Sequence, residues 1–76
     1  MTVALRNGWL VVPYEGGDTA RVEIGVGNPP VWRGAFLDWV DGVRVAKIRP
    51  PEMEGSRPKV QLRVNGSVVF AGNILV

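Results

Sequence analysis

Three dipeptides of the form Asn-Gly or Asp-Gly, each lying between β-rich segments, constrain the fold of this chain more than any other feature. They are Asn7-Gly8, Asp41-Gly42 and Asn65-Gly66. Asn, Asp and Gly tolerate the positive φ angles that both central residues of a two-residue type I′ turn require. The sequence therefore predicts three tight antiparallel hairpins.

The segments between these turns alternate apolar and polar residues with a period of two. In "TARVEIGV" the apolar residues Ala20, Val22, Ile24 and Val26 share one side. This pattern is typical of an antiparallel strand with one solvated face. No long segment shows helical spacing, and ten glycines with six prolines interrupt the chain. No internal repeat is evident.

The predicted fold is a single all-β domain covering residues 1–76, a small antiparallel barrel or sandwich of about six to seven short strands with tight hairpins. The strands are predicted near 2–6, 9–13, 19–26, 35–40, 43–48, 59–64 and 67–75. For 35–40 one or two helical turns are an alternative, and a strand is favoured. Segment 27–34, which contains a diproline, is predicted to be a stiff loop.

Cross-strand partners can be written down for each hairpin, because directly opposite residues share a face. Around the first two turns Arg6 faces Trp9 and Arg44 faces Trp39. A cation lying over an aromatic ring is stabilising. The register therefore predicts two intramolecular cation–π contacts.

The last hairpin has an unusual distribution of apolar residues. If Asn65-Gly66 forms the turn, Arg63 faces Val68 and Gln61 faces Phe70. The two hydrophobic residues then lie on the outer face, away from the core. This placement favours contact with a partner.

Catalytic chemistry is poorly represented in the sequence. The chain has no cysteine and no histidine, so disulfides, thiolate metal sites and the commonest general base are excluded. The acidic pairs are assigned to a turn and to an exposed loop, and "GVGNPP" matches only the start of a dinucleotide-binding fingerprint. We predict that the protein is not an enzyme, with no catalytic, cofactor-binding or metal-binding residue.

Protein–protein association accounts best for the apolar content, which is 46% and includes three tryptophans in 76 residues. A domain of this size has a thin core. We predict a non-enzymatic structural or interaction protein that self-assembles or docks on a larger protein surface. Its predicted interface is Trp32, Arg33, Val68, Phe70, Ile74, Leu75 and Val76. By architecture alone this is compatible with a small virion accessory protein, such as a capsid decoration or connector subunit.

The charge distribution supports an alternative. Residues 1–43 have three basic and five acidic side chains, a net charge of −2, whereas residues 44–76 have six basic and two acidic ones, a net charge of +4. A single-strand nucleic-acid-binding barrel would use this basic half with Trp32, Trp39 or Phe70 stacking on bases. Its contacts would be Arg44, Lys47, Arg49, Lys59 and Arg63. An inhibitor of a host enzyme is a third alternative, which the sequence does not separate from the first.

The amino-terminal segment has neither the basic region nor the apolar region of a signal peptide. The longest apolar stretch, "WLVV", has four residues, far fewer than a membrane span requires. We therefore expect a soluble protein in the cytoplasm or associated with a virion, with no membrane partner and no small-molecule substrate.

Overall fold

The computed structural model describes residues 3–51 and 58–73. These residues form eight strands and no helix, which confirms the all-β prediction and adds one strand to it. The strands are β1 (Ala4–Arg6), β2 (Trp9–Pro13), β3 (Val22–Val26), β4 (Val31–Gly34), β5 (Phe36–Val40), β6 (Val43–Ile48), β7 (Lys59–Val64) and β8 (Ser67–Asn73). No helix within the described ranges is long and apolar enough to cross a membrane.

The strands form two four-stranded antiparallel sheets. The first sheet has the order β1-β2-β6-β5 and the second sheet has the order β4-β3-β7-β8. No closed barrel is formed by the described strands. The core lies between the sheets, because both sheets contribute to a single buried cluster that includes Leu10, Val12, Ala46 and Ile48 from the first and Val22, Ile24, Val26, Val60 and Leu62 from the second.

The three predicted turns are confirmed by their backbone angles. Asn7, Asp41 and Asn65 have φ angles of 52°, 50° and 50°, and the glycine after each also has a positive φ. The last turn is also tied to the start of β3. The Asn65 side-chain oxygen accepts a hydrogen bond from the Arg21 N–H at 2.9 Å, and the Asn65 N–H donates to the Arg21 carbonyl at 2.8 Å.

Strand β4 was not predicted, because segment 27–34 was expected to be a stiff loop. In the structure the turn ends at the diproline and the chain continues as a strand from Val31 to Gly34. It pairs with β3, and Trp32 lies opposite Gly25. The diproline belongs to the turn at residues 27–30, and the edge strand begins at the next residue.

The last hairpin contains a β-bulge that the predicted register lacks. Arg63 pairs with Val68 as expected, but the register then shifts and Leu62 pairs with Phe70. Phe70 therefore packs against the core, and the prediction that it lies on the outer face is wrong. Val69 takes the exposed position instead, with 59% of its surface accessible. One extra residue in a strand moves every later side chain to the opposite face.

The topology contains a repeat that was not evident in the sequence. Strands β1–β4 and strands β5–β8 are arranged in the same way, so β2 corresponds to β6 and β3 corresponds to β7. Each of these corresponding pairs forms the centre of one sheet. The pairs in these registers include Val12↔Ala46 and Ile24↔Leu62. In the sequence, "RVEIGV" (21–26) and "KVQLRV" (59–64) share the same alternation of apolar and polar residues.

Candidate interaction surface

The outer face of the first sheet, the face away from the core, is concave. Arg6 on β1 and Asp41 in the β5–β6 turn belong to opposite edges of this sheet, yet their side chains form an ion pair at 3.8 Å. The sheet therefore curls around its outer face. Two adjoining cavities of about 650 and 300 Å³ lie there. We call this surface the outer trough, lined by Arg6, Trp9, Val11, Val40, Val45 and Lys47.

The floor of the outer trough is apolar and covered. Val11 and Val45 alternate with the core residues Val12 and Ala46, so they point to the opposite face. They are only 9% and 4% exposed, although they lie outside the cluster between the sheets. The first sheet therefore has apolar packing on both of its faces.

One end of the outer trough is an aromatic and basic cluster around Trp9. Lys47 Nζ lies 4.4 Å and Arg49 Cζ lies 4.0 Å from the centre of the Trp9 ring. Phe36 meets the same ring edge-on, with centroids 6.1 Å apart. Strands β2, β6 and β5 lie side by side, so they bring these residues together from distant parts of the chain.

The predicted cation–π contacts have different outcomes. Arg44 lies over Trp39 at 5.1 Å, as expected. Arg6 is opposite Trp9 in the register, but its guanidinium pairs with Asp41. The cations at Trp9 are instead Lys47 on β6 and Arg49, which follows β6. The hairpin register alone could not reveal this, because β6 is not part of the first hairpin.

Asp38 joins the outer trough to the free edge of β5. Its carboxylate accepts a hydrogen bond from Lys47 Nζ at 2.8 Å and another from the Trp39 N–H at 2.8 Å. These bonds favour the charged form and lower the pKa of Asp38, and the Lys47 hydrogen bond has the largest effect. The second bond also occupies a backbone donor on an edge strand.

The outer face of the second sheet has no trough at Gly25, because a stack of side chains covers it there. The Trp32 ring lies against Gly25 on one side, where a Cβ would be 2.9 Å from ring atoms. The Arg63 guanidinium lies over the ring at 4.0 Å. Arg63 Nε donates a hydrogen bond to Glu23 Oε1 at 3.1 Å, and Arg63 Nη2 forms an ion pair with Glu23 Oε2 at 3.0 Å. The hydrogen bond from Arg63 lowers the pKa of Glu23.

The structure does not bring the predicted interface residues into one patch. Trp32 and Arg33 lie on β4 and Val68 lies on β8, at opposite edges of the second sheet. Phe70 faces the core. The remaining predicted residues lie outside the described residues; they are Ile74, Leu75 and Val76.

The predicted nucleic-acid contacts also divide among several surfaces. Lys47 and Arg49 adjoin Trp9 in the outer trough. Arg63 lies on the outer face of the second sheet, opposite Glu23. The Arg44 guanidinium pairs with Asp18. Lys59 is exposed at the start of β7.

Trp9, Phe36 and Val43 line or border the outer trough and are not among the interface residues predicted from the sequence. A signal was present in "WLVV", because alternate residues of a strand face opposite sides and both sides of this strand are apolar. A strand with two apolar faces needs covering on both. Phe36 is 63% exposed in the structure, so this face is covered only in part.

Comparison of the chain with protein-family models, with curated proteins and with solved structures gives no match. The protein is an all-β chain of two four-stranded antiparallel sheets, with an aromatic and basic trough on one outer face. In the part of the chain that the structure describes, no three acidic side chains are grouped to hold a metal ion.

Acid should destabilise the fold through Glu23 and Asp38. The pKa of each is lower than its ordinary value, 4.5 for Glu and 3.8 for Asp. A carboxyl group of this kind stabilises the fold above its unfolded pKa, and the contribution is lost as the pH falls through its folded pKa. We expect Glu23→Gln and Asp38→Asn to flatten the decline in unfolding free energy below about pH 4.5, measured by urea denaturation.

Glu15→Gln is the control, because Glu15 makes no ion pair with the described residues. If the two variants follow the wild-type slope, these ion pairs do not stabilise the fold.

Proposed function

We propose that the protein is a non-enzymatic interaction module that docks a segment of a partner protein in the outer trough. The observation that carries this proposal is the exposure of Phe36 and Val43 on a concave face. The floor of that face is also apolar, at Val11 and Val45, and lies outside the cluster between the sheets. An apolar surface on a small protein that is concave and only partly covered is typical of a binding site.

The two sheets are best described as an open sandwich. A core between the sheets supports this description over a barrel, and it has a consequence for binding. A sandwich leaves both outer faces available, and the curled first sheet has the larger cavities.

The charges around the outer trough favour a partner segment that bears a carboxylate. Arg6 and Lys47 are each paired with an aspartate. Arg49 has no carboxylate within ion-pair distance among residues 3–51 and 58–73, and it lies over Trp9. Counting the described residues alone, the Trp9 end has an unbalanced positive charge. A segment with apolar side chains for the floor and an acidic residue for Arg49 complements both features.

The ion pair between Arg6 and Asp41 lies at the surface of the outer trough, so a docking segment would displace it. Exposed ion pairs contribute little to stability. Opening the trough should therefore cost little, while burial of Phe36 and Val43 is favourable. Aromatic and arginine side chains, here Trp9, Phe36 and Arg49, are the types most often dominant in binding energy.

The test is selection of peptides from a random display library against the full chain. We expect the enriched sequences to combine apolar residues with at least one acidic residue. Binding should fall at least about ten-fold for Phe36→Asp, which corresponds to about 1.4 kcal/mol. Val68→Asp is the matched control, since Val68 is exposed on the other sheet, and it should bind normally. Selected peptides that bind both variants equally would refute docking in the trough.

Nucleic-acid binding is the second candidate, favoured by the presence of Lys47 and Arg49 beside Trp9 and Phe36. It ranks lower because both cations already lie over the Trp9 ring, and a stacking base would have to displace them. A labelled single-stranded oligonucleotide that binds with a steep salt dependence, and that loses affinity in Lys47→Ala and Arg49→Ala, would favour this candidate. The virion accessory role is a narrower form of our proposal, which neighbouring morphogenesis genes would support.

A further inference from the structure

The four edge strands of the two sheets differ in how their free edges are protected. Strand β1 has only three residues and ends in Arg6. Strand β4 follows a diproline and contains Arg33. On β5 the Asp38 carboxylate occupies the Trp39 N–H. Charges, prolines and short length are the usual means by which edge strands avoid pairing with other chains.

Strand β8 is the exception among these edges. It is the longest strand, with seven residues from Ser67 to Asn73, and none of them is charged. Val68 and Val69 are 50% and 59% exposed. Among residues 3–51 and 58–73 the feature that protects this edge is the bulge near the turn, and the register is regular from Phe70 to Asn73. Within the described residues β8 pairs only with β7.

A small apolar pocket lies at the same edge. It has a volume of about 170 Å³ and is lined by Pro13, Glu15, Leu62, Val69 and Phe70. An added strand would therefore find an uncharged edge and a pocket for one apolar side chain. Backbone pairing combined with side-chain pockets is the usual mode of strand addition to a sheet edge.

We propose that β8 is a self-association edge, at which the β8 strands of two copies pair antiparallel about a two-fold axis. The partner that the chemistry fits is a second copy. A strand without charge meets its own copy without like-charge repulsion, and exposed Val68 and Val69 offer apolar side chains to the paired strand. A two-fold pairing of this kind is closed, so it ends at the dimer.

This surface is separate from the outer trough, because β8 belongs to the second sheet and the trough to the first. The proposal therefore does not depend on peptide docking. One strand pair buries a small area, so we expect a weak dimer that depends on concentration. Substitution of Phe36 should leave it unchanged.

The test is sedimentation velocity of the full chain over a range of concentrations. The wild type should move from a monomer of 8.3 kDa toward twice that mass as the concentration rises. Val69→Lys should weaken the dimer at least about ten-fold, and Ala71→Lys, on the same strand, should do the same. Val31→Lys is the matched control, because Val31 is 52% exposed on the edge strand β4, and it should dimerise normally.

Amide hydrogen exchange provides a second measurement that needs no variant. Exchange along β8 should slow as the wild-type concentration rises, while exchange along β5 should not. A wild type that is monomeric at millimolar concentration would refute the proposal. Equal loss in Val69→Lys and Val31→Lys would refute the role of β8, and growth beyond the dimer would refute a closed two-fold pair.

Discussion

Replacing Phe70 with alanine should lower the free energy of unfolding by about 2–4 kcal/mol. The ring packs against the core, it lies opposite Leu62, and its atoms approach the position of a Gly72 Cβ to 3.1 Å. Phe→Ala substitutions at fully buried sites cost more, and Phe70 is half-buried. For a domain of this size such a loss is a large part of the total stability.

The matched control is Val68→Ala on the same strand, which should change the unfolding free energy by no more than about 0.5 kcal/mol. Urea denaturation followed by circular dichroism measures both variants. The bulge makes a further prediction, since Val69→Ala should also have a small effect. If Val69→Ala costs more than Phe70→Ala, the regular register is correct and the bulge is not.

The hairpin turns were predictable because their chemistry is local. Positive φ at Asn7, Asp41 and Asn65 follows from the residue types themselves, and the pairing next to each turn follows from the turn. The bulge after Val68 was not predictable in this way. Whether Val69 or Phe70 faces inward depends on the shape of the space between the sheets, to which Leu62 and residues far along the chain contribute.

The outer trough was missed for a related reason. The alternation around Trp9 indicates two apolar faces, but the sequence does not show that β6 lies beside β2 and brings Lys47 and Arg49 over the ring. Pairing between hairpins is non-local. The predicted interface relied instead on Trp32 as an exposed residue of a stiff loop, and in the structure Trp32 lies in a strand against Gly25.

Replacing Gly25 with alanine should lower the free energy of unfolding by about 1–3 kcal/mol. The added Cβ would be 2.9–3.0 Å from three ring atoms of Trp32, so the indole must move. It cannot move outward freely, because the Arg63 guanidinium lies 4.0 Å from the ring centre and is itself held by Glu23. The cost therefore includes disruption of that stack as well as the direct clash.

Gly34→Ala on the neighbouring strand is the control, since a Cβ there meets no atom within 4 Å. It should be neutral or stabilising by up to about 1 kcal/mol, because alanine restricts the unfolded chain. A double-mutant cycle then isolates the clash. In a Trp32→Ala background the ring is absent, so Gly25→Ala should cost little. If Gly25→Ala is as damaging there as in the wild type, its effect does not come from the indole.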